Sequence, residues 1–470
     1  MMIPVISSSL KQYIIVITVN LSVFCLGLDV AWPSPMLVKL RNPEETPLTR
    51  PITEDEGGWI ASIGYLFSIF TLPFVGYLVD LIGRKYSILV MCWPKVIAAL
   101  LTVFATEVWM ILVARVLTGV TNTSSILVNM IYCTEIASSE IRGALGSVLP
   151  LLASLGVLVV LGIGPYISYL NLSILYTVII TCSCIPLIFI PDTPYSLYSK
   201  GKIEEAEKVL TSLRESKTVA LEEMKQLSHR EPKQNFDKRE LFTNKACLKG
   251  LIIAVVLSMG IQIVGYNCIS FYLQTIFEIT NTSVSPAFSS VVIGLIQLMS
   301  GIVSSVISDR CGRKPILITT LFGMAAGMIG LGVFFTLTQH GVKISGFLNY
   351  LPVISVAISS WCYCGGIGSQ YFVLITEVLD GPARAIGTSI GLEISTILVF
   401  LLTRYTMEIM TALGADTTYF VFGAVCVLLA LFVLFFVPET KQKTIAEIQS
   451  ALSGTCRKEN EESSEYDSRF

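Results

Sequence analysis

The side chains able to do chemistry in this chain are charged or polar residues enclosed by apolar runs. Asp29 lies in CLGLDVAWPSP and Arg115 in ARVLTG, while Lys95 and Glu393 have similarly apolar neighbours. A bare carboxylate in hydrocarbon costs about 2.5–3.5 kcal/mol on insertion scales, so Asp29 has to be protonated or paired. Asp29 and Arg115 each fall about eight or nine residues from the end of their run, hence roughly 12–14 Å deep at the helical rise. The expectation is an Asp29–Arg115 pair, with Lys95 pairing or snorkelling and Arg404, near a span end, needing no special role. A second kind of chemistry is electrostatic latching. GYLVDLIGRK brings Asp80, Arg84 and Lys85 together, and SVISDRCGRK repeats the pattern with Asp309, Arg313 and Lys314. Glu135 precedes Arg142 as Glu377 precedes Arg384, in each case by seven residues. Opposed charges at several helix ends can form a network with a made and a broken state.

Enzymatic chemistry finds no support. No nucleophile and base pair stands at reachable spacing, and the two histidines, His229 and His340, fall in connecting segments. The 12 cysteines are scattered through apolar runs rather than spaced as a disulfide framework. Cys182 and Cys184, like Cys362 and Cys364, are two apart, and on a helix such positions diverge, so no metal or other cofactor is expected. No basic stripe points to nucleic acid.

The elements that must position these groups are membrane helices. With 53% hydrophobic and 14% charged residues, the chain departs from soluble domains, where charged residues run at about 25%. Continuously apolar runs of about 20 residues predict twelve spans, near 12–36, 58–81, 86–106, 109–133, 144–166, 170–190, 249–277, 286–308, 315–337, 349–376, 386–409 and 416–437. Most of the 32 Lys and Arg fall on the side of the even-numbered connections, which places both termini in the cytoplasm. The first run is too long for a signal peptide and reads as a retained span.

Landmarks repeat in order. Besides the doubled Asp-x-x-Gly-Arg-Lys and Glu…Arg pairs, Pro191-Asp192-Thr193-Pro194 follows span six and Pro438-Glu439-Thr440 follows span twelve. The fold class expected is therefore an all-α membrane protein, twelve transmembrane helices in two pseudo-symmetric six-helix bundles with short cytoplasmic helices. The domains expected are an N-terminal bundle (1–192), a cytoplasmic helical linker (193–247), a C-terminal bundle (248–440) and a cytoplasmic tail (441–470). In the linker, Ile203, Ala206, Leu210 and Leu213 form an amphipathic stripe.

These landmarks, with PETKQKTIAEI from Pro438, resemble the sugar porter family of the major facilitator superfamily over nearly the whole chain. ITEDEGGWIASI, from Ile52, looks most like the facilitated trehalose transporters of insects. The resemblance implies two bundles rocking about one central sugar site, with the charge clusters (Asp80, Arg84, Lys85, Glu135, Arg142, Asp309, Arg313, Lys314, Glu377, Arg384) stabilising the inside-closed state. It assigns substrate contacts to Gln262, Asn267, Gln297 and Phe372, and an outer gate to Phe271 and Tyr272. The sequence departs from the family where Ile261 replaces the first of two glutamines, where Pro150 takes the fifth-span glutamine position, and where Ser369-Gln370-Tyr371-Phe372 replaces Pro-x-Pro-Trp. Ser395 and Thr396 stand at the Asn-Trp pair of span eleven. Amides glue helices together as well as binding sugars, and aromatic rings pack without any ligand.

The resemblance also sets Asp29 at the first-span acid of proton-coupled members and Arg115 at the family's arginine. Both readings of the pair stand, proton coupling or a static ion pair, the second being preferred because the nearest overall resemblance is to facilitators. The function expected is facilitative transport of trehalose or a related sugar across the plasma membrane, with a proton symporter using Asp29 and a non-transporting sugar sensor as the alternatives. A glycan is expected at Asn281, in Asn281-Thr282-Ser283.

Overall fold

A computed structural model describes residues 7–138, 141–214, 216–228, 245–280, 284–379, 381–441, 443 and 445–453. Asn281 and His229 lie outside these residues, as do the side chains of Arg142 and Asp309. Eleven helices are long and apolar enough to cross a membrane, and Glu54–Ile82, bent by 57° around Pro73, makes the twelfth. A proline inside a helix removes one backbone donor and crowds the preceding turn, which accounts for the bend. Among the described residues there is no strand.

Several spans differ from the continuous runs expected, each for a local reason. Span one is longer, Ser8–Ala31 continuing as Pro33–Arg41 across a break at Trp32, just before Pro33. Span six ends at Cys184 and passes into a short 3-10 turn opened by Pro186. Span seven is three pieces: Lys245–Ile263, Tyr266–Phe271 and Leu273–Thr280. Span ten is two, Leu351–Gly365 and Ile367–Glu377. The remaining spans are Arg84–Val103, Val108–Ile136, Arg142–Ile163, Pro286–Cys311, Arg313–Gln339, Gly381–Leu413 and Ala415–Phe436.

Packing repeats between the halves. Span one packs on span five and span seven on span eleven; spans two and four pair, as do eight and ten; span three lies on four and six, and span nine on ten and twelve. The bundles meet where span two runs along span eleven and span five along span eight. Inside the first bundle the helices touch through backbone. A side chain on Gly27 would strike the Ala153 carbonyl, one on Gly156 the Phe24 carbonyl, and one on Gly119 the Gly64 backbone. Small residues permit such approach in lipid, where dispersion rather than water exclusion holds helices together.

Helices Pro194–Ser199, Ile203–Leu213 and Lys217–Ser228 follow the first bundle. Ala206, Leu210 and Leu213 of the expected stripe are buried, but Ile203 is exposed. Gln12 ties this layer to span one by donating to the Leu213 carbonyl at 2.7 Å. The last helix, Ile445–Ser453, lies against the start of span seven, where Lys249 donates to the Leu452 carbonyl. Both described chain ends therefore sit at one end of the molecule, called here the terminal end.

Candidate functional site

The site is organised by the break in span seven. Gly265 takes a left-handed φ of 82°, and its missing side chain leaves room for the Phe422 ring packed against it. The break turns Asn267 back toward Gln262. The Asn267 amide donates to Gln262 Oε1 at 2.5 Å, and Gln262 donates to Ser395 Oγ of span eleven at 2.7 Å. Gln297 of span eight is buried as well. Ile261, at the position of the family's first glutamine, is buried among apolar neighbours.

Aromatic rings close this region toward the end opposite the chain termini. Phe271 meets Tyr65 of span two edge-on, centroids 5.8 Å apart, and Tyr272 donates to the Thr403 carbonyl of span eleven at 3.2 Å. Tyr266 stacks flat on Tyr363 of span ten at 3.8 Å, a pair that sequence reasoning missed. The two lie far apart in the chain, and only the break at Gly265 signals that Tyr266 turns inward. Phe372 is 38% exposed, whereas its neighbour Tyr371 is buried and hydrogen-bonded to Ser258 at 2.8 Å. The absent hinge prolines do not leave span ten straight. It breaks at Gly366, where a side chain would strike Thr320.

In the first bundle the expected pairing is corrected. The cation beside the Asp29 carboxylate is Lys95, Nζ to Oδ2 3.4 Å, and Tyr176 donates to Oδ1. Lys95 also donates to Asn122 Oδ1 at 2.8 Å and contacts the Ser22 carbonyl at 3.4 Å. Arg115 reaches Asp29 only through backbone: Nη1 bonds the Asp29 carbonyl at 3.3 Å, Nε the Ile60 carbonyl at 3.1 Å, and the guanidinium lies over Trp32. Depth alone matched Asp29 with Arg115. The rotational facing of span three decides for Lys95 instead.

The charges at the terminal end join partners within a bundle. Arg84 pairs with Glu135 at 2.9 Å and with Asp80 at 4.0 Å, and Thr193 donates to Glu135 at 2.5 Å. Asp192 accepts from the Thr193 N–H, the Ser196 hydroxyl and the Lys85 N–H, and pairs with Lys200 at 3.5 Å. In the second bundle Glu439 accepts the backbone N–H groups of Arg313, Lys314, Thr440 and Lys441 at 2.9–3.1 Å. Gly83 and Gly312, with φ of 90° and 88°, start spans three and nine in the same way, each with that acid in the space a side chain would need. Arg313 lies 3.7 Å from Glu377, while Arg384 Nε bonds the Leu379 carbonyl. Lys85 and Lys314 enter these caps through backbone N–H.

Burial works to raise the Glu439 carboxyl, but four backbone donors outweigh it and hold the group below its ordinary range.

Two bundles joined at spans two–eleven and five–eight, with a broken helix at the centre, define a transporter of the major facilitator class. The fold matches that of the proton:xylose symporter XylE bound to 6-bromo-6-deoxy-D-glucose, with a TM-score of 0.74 and 20% identity, covering 95% of this chain and 100% of that one. The family model described as "Sugar (and other) transporter" matches residues 14–452, and the chain belongs to that family. Similar sequences include the facilitated trehalose transporter Tret1 of Polypedilum vanderplanki, 29% identical over 95% of this chain and 89% of that protein. The Tret1 of Culex quinquefasciatus is 27% identical over 97% and 88% respectively.

Proposed function

We propose that the chain carries trehalose or a closely related sugar down its gradient by alternating access, in the plasma membrane, with the terminal end in the cytoplasm. The observation that carries this reading is the amide and hydroxyl chain Asn267–Gln262–Ser395 at the break of span seven, beside the Tyr266–Tyr363 stack. Hydroxyl-rich ligands need such amides, and their C–H faces need apolar area. Similarity to the Tret1 proteins supports the sugar class, and the excess of bases at the terminal end supports the orientation. The bundles of residues 1–192 and 248–440 are the units that rock in this reading. Gln262, Asn267 and Gln297 contact the sugar, with Phe372 as an apolar face and Phe271 and Tyr272 as the gate.

Uniport is favoured by Lys95. A fixed cation 3.4 Å from Asp29, which is 1% exposed, balances the carboxylate without a travelling proton. The second reading, proton symport, draws on the fold shared with a proton:xylose symporter. Uptake of labelled trehalose, glucose and a polyol panel into proteoliposomes, with and without an inward proton gradient, separates them. Saturable trehalose uptake that ignores the gradient and is lost in Asn267→Ala is the expected result. Accumulation driven by the gradient and lost in Asp29→Asn replaces uniport with symport. Sugar binding without flux leaves a sensor.

A further inference from the structure

Arg404 is a buried cation that lies outside the central site. It lies in span eleven, two turns before Leu413, at the end opposite the chain termini. Its side chain is 9% exposed and crosses to the other bundle, where it pairs with Asp55 in the first turn of span two. Two further contacts fix it. Glu408, one turn on, accepts from Nη1 at 2.8 Å, and the guanidinium lies over the Trp59 ring, 5.0 Å from its centroid. Trp59 in turn meets Phe400 of span eleven at 6.4 Å.

The start of span two is built to receive this side chain. A capping box, Thr53 with Glu56, fixes the first turn, and Arg50 binds Glu56 through both nitrogens at 2.5 and 2.9 Å, so Asp55 projects from a rigid base. Gly58 follows one turn later. A side chain there would come within 3.0 Å of the Arg404 carbonyl and 3.1 Å of its Nη1, so its absence lets the arginine lie flat against span two. Gln274 donates its backbone N–H to Ser34 of the first bundle at this same end.

The geometry points to Arg404 as a clamp between the bundles, a positioning residue whose bond to Asp55 must break before they can part at this end. It sets how much of the protein is closed there. An arginine with a planar fork suits the task because it holds a carboxylate and an aromatic face together. Glu408 lies in the same helix and keeps the guanidinium solvated by a counter-charge after Asp55 leaves. The clamp therefore adds to the barrier of opening without stranding a charge in the open state.

The inference rests on alternating access, and its test reads conformation rather than flux. Spin labels at Glu44→Cys and Ala412→Cys, both exposed at this end of opposite bundles, report the distance between them in the reconstituted full chain, with the exposed Cys182 and Cys311 replaced by serine. Asp55→Asn and Arg404→Gln are each expected to raise the ratio of long to short distances about two- to fivefold. The double variant should match the singles, because both remove one interaction, and Glu408→Gln should lower the ratio, because the open state then leaves Arg404 without a counter-charge. Additive effects of the two singles, or an unchanged ratio in Asp55→Asn, would overturn the clamp. Should Arg404→Gln fail to fold, Asp55→Asn decides alone, since its side chain is 60% exposed. A shifted ratio without sugar uptake in any variant keeps the clamp and removes the sugar reading.

Discussion

Lys95 Nζ lies 3.4 Å from Asp29 Oδ2 inside the first bundle, and both side chains are buried. The pair satisfies the charge balance that the membrane demands of Asp29, and Tyr176 and Asn122 complete it on either side. Removing one member of such a pair leaves an uncompensated charge, whereas removing both leaves a neutral core.

Lys95→Met should therefore destabilise the protein by about 3–5 kcal/mol, and the double variant Asp29→Asn, Lys95→Met should regain most of that loss. Unfolding in mixed micelles reads both. Equal instability of single and double variants would show that Lys95 acts through Asn122 or the Ser22 carbonyl and not through Asp29.

Gly265→Ala meets two penalties, a left-handed backbone and the Phe422 ring. Asn tolerates the backbone but not the ring, so Gly265→Asn should also fail. Relieving the ring with Phe422→Ala should rescue Gly265→Asn more than Gly265→Ala. Sugar uptake at equal surface expression measures this order.

Glu439 is held below the ordinary carboxylate range, so its folded pKa is lower than its unfolded one. Its contribution to stability is in full above the unfolded value and fades as pH falls through the lowered folded value. Glu439→Gln should cost about 1 kcal/mol at neutral pH, as loss of a helix cap does. The difference from wild type should shrink below the normal carboxylate range. A gap that stays constant with pH would mean that the carboxylate charge is not what the four N–H groups require.

Tyr266→Leu keeps apolar bulk but loses the stack on Tyr363, worth about 0.5–1.5 kcal/mol beyond area. If the stack shapes the site, KM ratios among sugars of different size should change while the folded fraction does not. Unchanged ratios would assign the stack to packing alone.

Much of the fold was legible because its signals are local or periodic. Apolar runs announced all twelve spans, and the doubled landmarks announced the halves, since each marks a span end whose chemistry repeats. The breaks were less visible. Gly366 reads as one more glycine in GGIG, and nothing in the sequence marks it as the point where the helix parts with Thr320 in the space a side chain would need. Of the candidate site, Gln262 and Asn267 were expected from their motif, and the structure brings their amides into contact. The partner of Asp29 was not found, because depth along a span fixes one coordinate and the facing of span three fixes the other. Arg404 was set aside for the same reason. An exposed acid 349 positions away carries no sign in the sequence that it will lie against that arginine.

The glycines of the first bundle carry a consequence for how such a carrier changes over time. Where Gly27 meets Ala153 and Gly64 meets Gly119, no atom can be added to either surface without separating two spans. Those seams leave no room for larger side chains, and the close backbone contact holds the paired spans together as they move. Away from Gly265, polar contacts of the central site run from side chain to side chain, as between Gln262 and Ser395. New solutes can be accommodated by editing a few rings and amides while the moving machinery is inherited intact.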